Sequence, residues 1–190
     1  MRMKKPELLI VEGKSARLNL TKAINRKQHQ VHAVRGKLLN VNKHPVSSVL
    51  ADVECRQVID VLGCGFDKRL DIKNLPFSSV CILMDPDIDG AHSGALLLSF
   101  FNRYYQPLVF SGFLSLIKLP LFRIGDAGPQ ATFAWSPNEL ATMLKADSIA
   151  SGQSTDSANI TRYKGVAQFS LAECEQHMLN AKSRRLVLLK

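Results

Sequence analysis

Apolar residues in this chain come in short blocks that stop at charged or glycine-bearing turns. Leu8-Leu9-Ile10-Val11 is one such block, and its length and boundaries predict a buried strand from Glu7 to Val11. The strand runs directly into Glu12-Gly13-Lys14-Ser15-Ala16, a polar turn that predicts a helix reaching about Lys27. A second strand is expected at Gln30 to Val34, and helical spacing from Glu54 to Leu62 is closed by Gly63. Ser79 to Met84 repeats the first theme: a strand, then an acidic turn, then Gly90 opening an apolar helix from Ala91 to Tyr105. Two strand-turn-helix units, each with acids at its turn, predict an α/β fold with a parallel sheet.

Beyond Pro107 the pattern shortens to strand-like runs at Phe113 to Leu119, Leu121 to Ile124 and Thr132 to Trp135. Ser136-Pro137-Asn138-Glu139 reads as a capping box with proline at the first helical position, so a short helix to about Lys145 is expected. Ser148 to Asn159, rich in serine, reads as a flexible linker. After it come Ile160 to Gly165, a helix from near Ser170 and a last strand at Leu186 to Leu189. The expected division is a core over residues 1–124 and a small C-terminal extension over 125–190.

Composition narrows the class. With 46% hydrophobic and 22% charged residues, the chain is an ordinary globular protein, neither disordered nor fibrous. No apolar run approaches the roughly 20 residues of a membrane helix, and the N-terminus has no cleavable apolar core, so a cytoplasmic protein is expected. Cys55, Cys64, Cys81 and Cys174 form no C-x-x-C pair, which points to reduced, buried thiols and away from zinc or a disulfide framework. A net charge of +9 leans toward a polyanionic partner.

Against that positive background, Asp85, Asp87 and Asp89 alternate directly after a strand. Ligands of open α/β sheets gather at the carboxyl ends of strands, and Glu12 occupies the same edge. Carboxylates gathered there tolerate one another when a divalent cation neutralises them, and oxygen-only ligation suits Mg²⁺ or a relative. A plain polar turn stays open as the alternative. A calcium loop of the EF-hand kind does not, because its twelfth position needs a glutamate and here holds Leu96.

Taken in order, LLIVEGKSA, AVRGKLLNV, VLGCG, LMDPDIDGAH with LLLSFFNRYY, and ITRYKG resemble one family, the TOPRIM region of the type IIA topoisomerase B subunits, gyrase B and topoisomerase IV B. The resemblance runs from Glu7 to about Leu189. It implies a Rossmann-like fold, a parallel central sheet flanked by helices, that binds Mg²⁺ (with Mn²⁺ or Ca²⁺ as substitutes) beside the DNA bond being cut. Carried onto matching positions, it makes Glu12 the general acid and a metal ligand, with Asp85, Asp87 and Asp89 completing the metal site. Arg35 and Lys37, from the R-G-K turn, and Arg162 and Lys164, from ITRYKG, would lie near DNA phosphates. The nucleophilic tyrosine would belong to an A-type partner subunit, so the chain would be an isomerase component that cannot cut DNA alone.

Departures from the family pattern keep other readings open. The family's B subunits carry an ATPase region before this segment, whereas this chain begins almost at the first strand, so no ATP site is expected in it. The usual EGDSAGGSA becomes Glu12-Gly13-Lys14-Ser15-Ala16-Arg17-Leu18-Asn19-Leu20, replacing an acid by Lys14 and two glycines by Arg17 and Leu18. Lost glycines cost backbone freedom, and Lys14 sets a cation beside the proposed metal. A degenerate module that binds DNA or a topoisomerase without chemistry, or a stand-alone metal nuclease, therefore remain as alternatives. His92 suits either a ligand-orienting role or a helix-start histidine. His29, His32, His44 and His177 are assigned to structure or surface, and Lys4, Lys5, Arg26 and Lys27 to solvated charge, with DNA contact as the alternative. Phe100, Phe101, Tyr104 and Tyr105 fall at core spacing, and Trp135 reads as a packing anchor.

Overall fold

The structure, a computed structural model, describes residues 5–128, 130–151 and 159–189. Its centre is a five-stranded sheet. Strand β1 (Glu7–Glu12) pairs in parallel with β2 (His29–Val34) and with β3 (Ser79–Leu83), and β3 pairs in parallel with β4 (Leu114–Lys118). The last strand, β8 (Arg185–Leu188), returns antiparallel to β4, which gives the order β2-β1-β3-β4-β8. The expected α/β class with a largely parallel sheet is what the chain adopts.

Side-chain alternation along β1 explains why the run Leu8 to Val11 is apolar throughout. Leu8 and Ile10 join Val80 and Ile82 on one face, and Leu9 and Val11 join Cys81 and Leu83 on the other. The first face packs against helices α2 (Val46–Ala51), α3 (Val53–Leu62) and α4 (Ile88–Tyr104). The second receives α1 (Gly13–Ala23) and, from the C-terminal part, Tyr163, Val166, Phe169 and Met178. Phe100, Phe101, Tyr104 and Tyr105 are buried on the first face, with Tyr105 donating its hydroxyl to the Gly65 carbonyl at 3.0 Å. Their expected packing role holds.

Helix α5 (Gln106–Phe110) links α4 to β4. A separate antiparallel sheet is built from β5 (Phe122–Ile124), β6 (Thr132–Ala134) and β7 (Ile160–Arg162), with β5 in the middle. A boundary after residue 124 thus falls between β5 and both its partners, while β8 lies back in the central sheet. Helix α6 (Pro137–Ser151) runs past the expected Lys145, so the first residues of the expected linker are helical. Residues 152–158 of that linker, and Lys4, lie outside the described residues. Ser136 accepts from the Glu139 amide at 3.0 Å, as a capping box requires, but Glu139 returns its bond to the Trp135 amide. Trp135 is anchored by its indole N–H on the Lys118 carbonyl and covered by the Arg185 guanidinium, 3.5 Å from the ring centre. Helix α7 (Leu171–Cys174), capped by Ser170 and Glu173, continues into a π-helical turn over Glu175–Leu179.

Two details depart from the expected elements for local reasons. Helix α1 stops at Ala23 because Asn25 takes over the chain: its side chain accepts from the Lys27 amide and its carbonyl from the Gln28 amide. Helix α2 was not expected, since its six residues between Pro45 and Asp52 are too few to show a period. Among the described residues no helix is long and apolar enough to cross a membrane.

The amino end of the sheet is closed by a buried ion pair. Arg184 grips both oxygens of Glu7, at 2.5 and 2.8 Å, while Ser79 and Cys81 also donate to that carboxylate. Burial works to raise the Glu7 pKa, but the bonds from Arg184, Ser79 and Cys81 outweigh it and hold it below the ordinary value. A carboxyl whose folded pKa is depressed contributes stability above its unfolded value and loses it as pH falls through the folded one. Wild type is therefore expected to out-stabilise Glu7→Gln at pH 7, with the gap narrowing below about pH 4.3. Arg184→Ala, which strands a buried carboxylate, should cost about 3–5 kcal/mol. Urea midpoints between pH 7 and 3 measure both.

Candidate metal and DNA site

Strand register builds the acidic edge. Val11 lies opposite Leu83 in the parallel β1–β3 ladder, so Glu12 leaves the sheet beside Met84 and Asp85. Gly13 follows with φ +79°, a left-handed conformation that turns the chain sharply into α1 and costs a side-chain-bearing residue energy. At the second turn Asp87 caps α4, accepting from the Gly90 amide at 2.7 Å. Gly90 is required there for a different reason, because a Cβ would sit 2.1 Å from the Asp85 carbonyl oxygen.

Glu12, Asp85, Asp87 and Asp89 all line one cavity of about 280 Å³, together with Gly13, Lys14, Ser15 and Gly165. Their hydrogen bonds differ. Glu12 Oε1 accepts from the Ser93 hydroxyl on α4 at 2.9 Å, and its Oε2 is buried with no partner among the described residues. Asp85 Oδ1 accepts from the Val166 amide at 2.7 Å. Asp89 turns outward, 77% exposed, to an ion pair with Lys37 at 2.9 Å. Burial raises the Glu12 pKa, Ser93 opposes it, and the charges of Asp85, Asp87 and Asp89 raise it further, for a net upward shift. Asp85 is raised for the same leading reason, with the Val166 amide opposing and Asp87 adding. For Asp89 the Lys37 contact dominates and lowers the pKa.

Among the described residues no three of these carboxylates converge as a ready-made metal cage. Mutual repulsion favours that spread, and each acid takes a separate donor: Ser93 for Glu12, the Val166 amide for Asp85, the Gly90 amide for Asp87 and Lys37 for Asp89. The donor set still suits Mg²⁺, which keeps several waters and needs one or two carboxylates rather than a full protein cage. The orphaned Glu12 Oε2 is the strongest sign of fit, because a buried carboxylate oxygen without a partner is costly.

The expected DNA contacts lie at the surface. Arg35, Lys37, Arg162 and Lys164 are all exposed. Arg35 and Lys164 use their backbone amides on Glu54 and Gln168, leaving their side chains for solvent or ligand. Arg162 closes β7 opposite Phe122. Lys14 is exposed on the cavity wall, Arg17 and Leu18 face outward on α1, and His92 is exposed in the first turns of α4. Sequence reasoning missed Ser93 and the Val166 amide. Ser93 was legible only as the residue one turn beyond Asp89 on the same helix, whereas a backbone donor leaves no mark on sequence.

Comparison with known proteins agrees with this architecture. Residues 7–116 match the Toprim domain family, and the chain belongs to it. Over 95% of its length the chain is 33% identical to the DNA gyrase B subunit of Archaeoglobus fulgidus, covering 27% of that protein. It is 33% identical over 96% of its length to the DNA gyrase B subunit of Thermotoga maritima, and 30% identical over 98% to the DNA topoisomerase 4 B subunit of Bacillus subtilis, covering 28% of each. The chain thus spans little more than a quarter of these relatives. As a class, Toprim domains bind divalent metal.

Gly90→Ala tests how tightly the acidic turn is built. Its methyl group meets backbone that cannot swing aside, so a loss of about 1–3 kcal/mol is expected. A thermal or urea midpoint indistinguishable from wild type would mean that the turn is looser than described.

Proposed function

We propose that the chain is the Mg²⁺- and DNA-binding module of a type II topoisomerase B subunit, acting in DNA cleavage and rejoining with an A-type subunit that supplies the tyrosine, and located in the cytoplasm. The observation that carries this reading is the meeting of Glu12 and the Asp85–Asp89 turn on one cavity at the carboxyl ends of adjacent strands, in a chain similar to gyrase B over nearly its whole length.

Glu12, Asp85 and Asp87 would hold the cation, with waters completing its shell, and Asp89 would join by releasing Lys37. Bound there, Mg²⁺ would orient the phosphodiester and offset charge on its oxygens. Glu12 is also the group suited to holding a proton, since burial and its acidic neighbours favour the neutral form and Ser93 leaves Oε2 to carry it. Arg35, Lys37, Arg162 and Lys164 would align the DNA backbone through its phosphates, which carry position rather than sequence. Lys14 adds a cation to the same wall and would offset the repulsion between the acids and an approaching phosphate.

Two measurements test the reading. In calorimetry Mg²⁺ is expected to bind the wild type, and Glu12→Gln or Asp85→Asn is expected to weaken binding at least about tenfold, no less than loss of an outer-shell partner costs. In a cleavage assay with an A-type subunit and supercoiled DNA, Mg²⁺-dependent cleavage should appear with wild type and vanish with Asp85→Asn. Failure to assemble or cleave contradicts the proposal. Mn²⁺-dependent nicking by the chain alone would identify a stand-alone nuclease, and DNA binding without metal binding a regulatory module.

A further inference from the structure

The segment after β7 folds back over the acidic edge and touches it with backbone rather than with its charged side chains. The Val166 amide donates to Asp85 Oδ1, and Gly165 packs so closely on the same carboxylate that a Cβ there would meet Oδ2 at 3.2 Å and Cγ at 3.4 Å. An amide on a carboxylate makes a charge-assisted bond, stronger than a neutral one. It occupies one oxygen and fixes the plane of the group. Asp85 Oδ2 is left with no hydrogen bond among the described residues.

The turn that presents this amide is held from behind. Asn19, on α1, donates through Nδ2 to the Val166 carbonyl at 3.1 Å and the Phe169 carbonyl at 2.9 Å, with the Cys174 sulfur 3.6 Å away. The carbonyls of Val166 and Phe169 thus converge on one amide nitrogen, which clamps the turn at both ends. On its other side Tyr163 stacks on Phe169 with ring centres 3.9 Å apart and donates to Glu173, which also receives Arg123. That network fixes where the turn lies on the sheet, and the same two carbonyls also accept from the Phe169 amide at 3.3 Å and the Cys174 thiol at 3.9 Å, so what Asn19 adds is the bond that reaches them from α1. The helix that carries Asn19 begins at Gly13, next to Glu12. One carboxamide therefore ties the turn that orients Asp85 to the helix that leaves Glu12.

We infer that Asn19 is a positioning residue for the cation site: by holding the Val166 turn to α1 it sets the Asp85 carboxylate, and so the spacing between Asp85 and Glu12 across the cavity. The inference rests on the metal-binding reading above. It does not concern the exposed Arg162 and Lys164 of the same segment.

The test uses the whole chain and two readouts. Mn²⁺ affinity is measured by the EPR signal of the free ion for wild type, Asn19→Ala, Asp85→Asn and the double variant. Asn19→Ala should weaken binding about 10–100-fold, the range for partners that orient a ligand. Because Asn19 acts through Asp85, the double variant should bind no more weakly than Asp85→Asn alone. Unchanged affinity in Asn19→Ala, or effects that simply add, overturns the inference, since general loosening would act whichever residue stands at position 85. Hydrogen exchange of the Val166 amide in metal-free protein is the second readout. It should be protected in wild type and lose protection in Asn19→Ala while the β1–β3 ladder keeps its own. If wild type binds no Mn²⁺, the functional reading fails, and the Val166 amide decides the inference separately: equal protection in wild type and variant overturns it. Should Asn19→Ala fail to fold, Asn19→Ser, which keeps one donor, is expected to give the same changes at smaller size, and wild-type values there would equally overturn it.

Discussion

Parallel pairing of β1 with β3 governs the acidic edge. With Val11 across from Leu83, the two strands end at one edge, where Glu12, the last residue of β1, and Asp85, two residues beyond β3, both emerge. A shift of one residue would turn the side chains of one strand to the opposite face and separate the two acids. The register is secured by burial, since Leu8, Leu9, Ile10 and Val11 and their partners Val80 to Leu83 are all enclosed between helical layers. Core packing and site geometry are consequences of the same pairing.

Charge then decides what the edge is for. A chain with a net charge of +9 that gathers four acids on one cavity keeps like charges close at an electrostatic cost. The structure meets that cost piecemeal: a hydroxyl for Glu12, backbone amides for Asp85 and Asp87, and a lysine for Asp89. One oxygen, Glu12 Oε2, stays buried and unsatisfied among the described residues. Basic side chains at the rim, Lys37 and Lys14, complement the pattern by offering positive charge to whatever polyanion approaches.

Much of this was legible in the sequence because it is local. Strands β1 and β3 announced themselves as apolar blocks, and the acids stood at their ends with recognisable spacing. The buried aromatic face of α4 followed from helical periodicity alone. What escaped was interaction over long separations or through the backbone. Ser93 reaches Glu12 across 81 residues, and Val166 reaches Asp85 across another 81 through an amide that every residue but proline possesses. Asn19 carried no assigned role in the sequence, since nothing in its neighbourhood reveals carbonyls that lie 147 and 150 residues away. The closing of the central sheet by β8 and the early stop of α1 at Ala23 were hidden similarly, by tertiary pairing and by the Asn25 turn.

The central claim is that carboxylates from two adjacent strand ends share one divalent cation. Anomalous diffraction from a crystal grown with Mn²⁺ addresses it directly. The account predicts a peak in direct contact with oxygens of both Glu12 and Asp85, with Asp87 bordering the same ion. Density only at the exposed Asp89, or Glu12 and Asp85 turned away from any shared ion at saturating Mn²⁺, would contradict it.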